Sequence, residues 1–175
     1  QLEITRYLAQ HFGDHVLYQQ MAGALVKLDQ GLALFKAANQ AYVDHLNRDG
    51  SQDTQIRPDA LLVPPLFQET CDWTTFHFLA PQLITRLGVL SLAQTDPNFH
   101  PYHEAAGLYV KDAAYHNGVI WTWNSAAVIT QAIHFQQDQY AQVLFSGLTD
   151  QILDRGAIGS LSELLDAWPR EGHYQ

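Results

Sequence analysis

A single cysteine, Cys71, stands in 175 residues, so no intramolecular disulfide can form. That fits a reducing compartment, and a cytoplasmic location is the expectation. Basic residues are scarce too. Nine Lys and Arg face eighteen Asp and Glu, for a net charge of -9. This balance works against nucleic acid or an anionic membrane as a partner. It suits a neutral substrate such as a polysaccharide. No apolar run approaches the roughly 20 residues that span a bilayer. The start, Gln1-Leu-Glu-Ile-Thr-Arg6, has none of the features of a signal peptide. Nine histidines occur without an HExxH motif or a His cluster beside a cysteine pair, so no metal and no cofactor is expected. Charged residues make up 15% of the chain against 47% hydrophobic. A core can form, yet the charge is low for a free-standing domain. With no initiating Met either, the expectation is one partial domain over 1–175, cut from a longer protein at both ends.

What the chain does have is concentrated in one stretch, Asp112 to Asn124. It places a Tyr115-His116 pair, a turn-forming Asn117-Gly118 and two tryptophans, Trp121 and Trp123, within thirteen residues. Rings that stack on pyranose C–H faces, beside donors and acceptors for hydroxyls, are what a sugar pocket requires. The plain alternative is a packed surface loop, with His116 bonded to a carbonyl. Trp121 and Trp123 alternate, so in extended chain at most one of them faces a ligand and the other is core.

Helical periodicity dominates elsewhere. Leu2, Ile4, Leu8 and Phe12 predict a helix that Gly13 closes, and Asp14 caps a second running to about Lys27. Residues 32–41 predict another helix. Ala41 to Leu46 alternates and ends in the turn signal Asn47-Arg-Asp-Gly50, which predicts a strand in a short β-hairpin. Arg57-Pro58 opens a helix through Leu62, stopped by Pro64-Pro65. Asp72 caps a helix through Trp73, Phe76, Leu79 and Ile84. Gly88 to Trp123 has almost no periodicity, and long ordered loops of this kind are more often functional than not. Ser125–Phe135 and Gln137–Leu153 are the last two predicted helices, the second ending at Arg155-Gly156. The sum is an all-α domain of six or seven stacked helices, with long loops gathered at one end.

Near the C-terminus, Ser160-Leu-Ser-Glu163 carries a lone carboxylate after a Gly-marked turn. On the residues alone a capping box is the stronger reading, with Ser160 at the N-cap and Glu163 reaching back to it. A general base would instead keep one Glu163 oxygen facing a pocket, where it could deprotonate a water. Asp166 reads as a solvated side chain. Asp53, Asp72, Glu104 and Asp112 are further acids among which nothing local selects. The two readings of Glu163 turn on whether its segment meets Asp112–Asn124 in space.

Four collinear segments resemble the C-terminal glucosidase domain of glycogen debranching enzymes, the amylo-α-1,6-glucosidase family. They are Ile56-Arg-Pro-Asp-Ala-Leu61, Gly88 to Pro97, Ala114 to Trp123, and Ile158-Gly-Ser-Leu-Ser-Glu163. Asp59 stands where the family usually has Asn, and Thr122 where it usually has Pro. Residues 103–110 match less closely, and the first forty agree only as helical pattern. The resemblance implies about the C-terminal half of an (α/α)6 toroid, without the last helix expected after Gly172. It implies inverting hydrolysis of the glucose left at an α-1,6 branch point of glycogen or a similar α-glucan. It makes Glu163 the general base and Arg57, Asp59, Tyr115, His116, Trp121 and Trp123 substrate-binding. The family's general acid has no counterpart in residues 1–175. The missing remainder of the domain is then the other expected partner. Two alternatives remain: a non-catalytic carbohydrate-binding (α/α)6 domain, or an (α/α)6 glycosidase acting on a different α-glycoside.

Overall fold

The computed structural model describes residues 1–62, 73–104 and 108–169. Helices α1 (Leu2–His11) and α2 (His15–Leu32) follow the predicted periodicity and turn at Gly13. Asp14 caps α2, its Oδ1 accepting from the Leu17 N–H at 2.9 Å, which satisfies one donor that a helix start leaves open. The two helices pack on each other. Yet α2 buries no residue and α1 buries only Ala9.

The helix expected over 32–41 shrinks to a single 3-10 turn, Ala33–Phe35. Lys36 is already extended and bridges Tyr42. Tertiary demand overrides local propensity here. Ala41, Tyr42 and Val43 are buried, and the Tyr42 N–H donates to Thr75 Oγ1 at 3.0 Å. The hairpin expected next exists as a turn, with the Asn47 N–H bonded to the Ser51 carbonyl at 2.7 Å. It is held by the single bridges Lys36–Tyr42 and Leu46–Gln52, not by continuous strands.

Helix α3 (Asp59–Leu62) begins behind Pro58, as read from the sequence. The Pro64-Pro65 stop and the Asp72 cap lie outside the described residues. Helix α4 (Trp73–Leu83) contains Pro81, which has no N–H for the helical ladder, and the helix ends two residues on. Ile84 was expected in that helix. It instead starts β1 (Ile84–Thr85), antiparallel to β2 (Gly88–Val89). Helix α5 (Leu108–Tyr115) sits inside the aperiodic stretch and was not expected. Strand β3 (Ile120–Trp121) follows, then α6 (Asn124–His134) and α7 (Asp138–Asp154), both within a residue of the sequence reading. Strand β4 (Leu164–Leu165) returns to pair with β3.

The described residues are thus mostly helical, with seven α-helices, and two small antiparallel sheets form besides the bridged turn at 36–52. A bridge between Leu90 and Ile120 links the sheets. Phe76, Leu83, Val89, Leu90, Ile120, Val128 and Leu144 form the core where α4, α6 and α7 close around them. Each such side chain contributes about 1.5–3 kcal/mol on burial. This core fixes β3, and β3 carries the aromatic wall. No helix among the described residues is long and apolar enough to cross a membrane.

Candidate functional site

The wall is built from the Asn117-Gly118 turn outward. The Asn117 N–H bonds to the Ala114 carbonyl at 3.1 Å, and its Nδ2 donates to Ala113 O at 2.8 Å. Gly118 has φ +153°, and a Cβ there would lie 2.2 Å from the His100 carbonyl oxygen. Only glycine lets His100 come so close, with its N–H on the Asn117 carbonyl at 2.6 Å. The Gly118 N–H in turn donates to Ser91 Oγ at 2.9 Å.

Three rings then lock together. His116 and Trp121 stack at 5.4 Å between centroids, only 12° from parallel. Tyr115 meets Trp121 edge-on at 4.7 Å, and the Trp121 indole N–H donates to the Tyr115 carbonyl at 2.9 Å. Such pairs add about 0.5–1.5 kcal/mol each beyond burial and hold the ring planes in place.

A cavity of about 300 Å³ opens in front of this wall, lined by Arg57, Pro58, Asp59, Ser91, His116, Trp121, Trp123 and Asn124. Five of the six residues expected to bind substrate therefore converge. Tyr115 does not line the cavity; it braces Trp121 from behind. The expectation that only one tryptophan faces the site is corrected. The chain leaves the strand after Trp121 and turns through Thr122–Trp123 into α6, so strand alternation does not apply. Trp121 is half-buried, while Trp123 is 62% exposed at the rim.

Arg57 faces the cavity, but its guanidinium is fully engaged by protein. Nε and Nη2 donate to Gln55 Oε1 at 3.2 and 2.9 Å, and Nη2 also to Asn117 Oδ1 at 2.8 Å. Nη1 donates to the carbonyls of Ser91, at 3.2 Å, and His116. All five of its N–H groups are spent, so Arg57 ties the 55, 91 and 116–117 segments into one wall. Asn124 was missed by sequence reasoning. It is 4% exposed, it lines the cavity, and its Oδ1 is buried without a hydrogen-bond partner. The only signal for it was its place at the end of the aromatic stretch.

Asp59 has its carboxyl pushed up from 3.8 to about 6. Partial burial of the carboxyl is the main cause, followed by a hydrogen bond to Asp44 and by that residue's negative charge; the Arg57 cation opposes them. Asp59 is exposed as a residue and lines the cleft. Asp44 in turn accepts from His45 Nδ1 at 2.8 Å, and His45 Nε2 lies 3.5 Å from Asp53.

Glu163 answers the question of whether the two segments meet. No helix begins at Ser160, so the capping box does not form. Ser160 Oγ donates to the Ala157 carbonyl instead, at 2.7 Å. The chain continues extended into β4, with Leu164 opposite Trp121 and Leu165 opposite Ile120. Pairing with β3 outcompetes the local helix signal. Thr122 secures the junction. Its N–H donates to the Glu163 carbonyl at 3.2 Å and its hydroxyl to the Ser162 carbonyl at 2.6 Å. A proline at 122 could make neither bond. Glu163 itself is exposed, next in chain to the residue paired with Trp121, and it does not line the cavity. Asp166 is corrected as well: it is half-buried and its Oδ1 accepts from the His103 N–H at 2.8 Å.

The family model described as Amylo-alpha-1,6-glucosidase matches residues 2–172, nearly the whole chain. The chain belongs to the amylo-alpha-1,6-glucosidase family. That membership points to a glycosidase of the glycogen-debranching type and to an α-glucan substrate class. No curated protein and no solved structure matches the chain. In this amylo-alpha-1,6-glucosidase family member Trp121 of the cleft lies on β3, and Glu163 stands immediately before its partner strand β4.

Proposed function

We propose that this chain is part of an inverting α-glucosidase and that the Trp121 cleft holds the glucosyl unit to be released. The domain is read as roughly the C-terminal half of an (α/α)6 toroid. His116 and Trp121 form the stacking surface and Trp123 the rim. Asn124 Oδ1 and Asp59 face the sugar hydroxyls, and Arg57 keeps the wall assembled without touching the sugar. Glu163 is the base that activates water. The observation that carries this reading is the β3–β4 register, which sets the glutamate's segment directly beside the aromatic wall.

Inversion requires a water between base and anomeric carbon, and an acid roughly 6.5–9.5 Å from the base to protonate the leaving oxygen. Residues 1–175 supply the base in this reading, and the acid comes from the remainder of the domain. Below about pH 6 the raised Asp59 carboxyl is protonated and can stand in for an asparagine. When protonated, it presents a donor and an acceptor as an amide does.

The test is glucose release by the intact protein from a phosphorylase-limit-type branched dextrin, followed by NMR of the anomeric proton. The expected result is free glucose appearing first as the β anomer. An initial α anomer contradicts inversion. One observation favours the second reading, a carbohydrate-binding domain without chemistry: Glu163 is exposed and outside the cavity lining. Saturable isomaltose binding with no glucose release by the intact protein would decide for that reading.

A further inference from the structure

A second cavity, of about 350 Å³, shares no lining residue with the cleft. It opens where the β1–β2 turn lies on α7. Gly147 makes that contact possible, since a Cβ there would sit 1.8 Å from the Arg86 carbonyl oxygen. Arg86 then reaches Asp150 at 2.7 Å, pinning turn to helix.

One helical turn beyond Gly147 is Gln151. It is 2% exposed and lines the cavity, and its Nε2 is buried with no hydrogen-bond partner. An unmade bond of this kind costs about 1–3 kcal/mol, so a buried orphan donor calls for an acceptor from elsewhere. At the mouth stands Trp168, 41% exposed. Its indole is fixed by Phe99, at 5.6 Å, and by Tyr102, edge-on at 6.0 Å. Gln94 and Arg155 add further polar groups. A fixed indole and a buried amide donor lining one cavity are chemistry for a pyranose, whose C–H face stacks while its hydroxyls bond. Asp150 is spent on Arg86, so Arg155 is the lining's other charge, and an anion is the competing ligand that the test must separate.

We propose that the Gln151–Trp168 cavity is a second binding site, for a glucosyl unit of an α-glucan, that anchors the substrate away from the cleft. The ligand class rests on the glucan reading of the cleft; the site itself rests on Gln151 and Trp168.

The test uses the intact protein labelled with 5-fluorotryptophan and titrated with maltotriose, the Trp168 signal being assigned with Trp168→Phe. The expected result is a saturable shift at Trp168 that persists in Trp121→Ala. Gln151→Leu should weaken that binding roughly tenfold while leaving the melting temperature unchanged or higher, because it removes an orphan donor. Movement at Trp121 or Trp123 with none at Trp168 would overturn the second site and leave the cleft reading standing. Displacement of maltotriose from Trp168 by inorganic phosphate would overturn it in favour of an anion site. No response at any tryptophan would likewise overturn the second site, and the cleft reading would stand on its own isomaltose test.

Discussion

The α1–α2 hairpin carries clear local signals and the β3–β4 body almost none, yet it is the body that builds a core. In the hairpin, Asp14 caps its helix and the apolar period is regular, but Ile4, Phe12 and Val16 are 64%, 78% and 70% exposed. In the body, Phe76, Leu90 and Ile120 are 2% exposed or less. Two-residue strands with almost no local signal position Trp121 in the cleft and bring the Glu163 segment beside it. Local pattern decides whether a helix forms. Burial and long-range pairing decide whether a segment can hold a site.

One substitution made twice sharpens that contrast. Phe76→Ala should cost about 3–5 kcal/mol of stability in urea unfolding, the usual loss for an emptied core site. Phe12→Ala should change it by no more than about 0.5 kcal/mol, as exposed positions do. Equal losses would mean that the hairpin is packed in solution as firmly as the body.

Thr122→Val tests the junction that joins wall and glutamate. Removing the hydroxyl leaves the partly buried Thr122–Ser162 contact unmade, at about 1–3 kcal/mol. Glucose release should fall mainly in kcat, since the wall is untouched while the Glu163 segment loosens. A rise in KM with kcat unchanged would show that Thr122 serves the wall instead.

Asp59→Asn has a smaller and pH-dependent effect. The Asp59 carboxyl, raised to about 6, binds its proton more tightly in the folded chain than in the unfolded one. Its contribution to stability is full below the ordinary aspartate range and is lost as pH rises through about 6. An asparagine carries no such slope. The melting temperature of Asp59→Asn relative to the parent should therefore climb between about pH 4 and about pH 7. A difference that stays flat over that range would mean that Asp44 and Asp59 do not share the proton.

The sequence announced the parts of the site more fully than their arrangement. The ends of α6 and α7, the Asp14 cap and the α3 start behind Pro58 were legible because each depends on a few neighbouring residues. That Arg57, Asp59, His116, Trp121 and Trp123 would come together was legible through the family segments, and all five line one cavity. What stayed hidden depends on distant partners. Ser160–Glu163 reads locally as a capping box, and only β3, some forty residues earlier, draws it into β4. Residues 32–41 read as helix until Thr75 takes the Tyr42 N–H. Arg57 looked like a ligand for sugar because nothing in the sequence shows that Gln55, Ser91, His116 and Asn117 occupy all its donors. Asn124 had no signal of its own; its significance is an unpaired oxygen in a cavity.

The measurement closest to the central claim is the rate of glucose release from branched limit dextrin by the intact protein carrying Glu163→Gln. If the β3–β4 pairing brings the catalytic base to the aromatic wall, the rate should fall by about 10²–10⁴-fold, the contribution of a positioned acid–base group. Isomaltose binding should stay within a few-fold of the parent. A variant that releases glucose at the parent's rate would contradict the account.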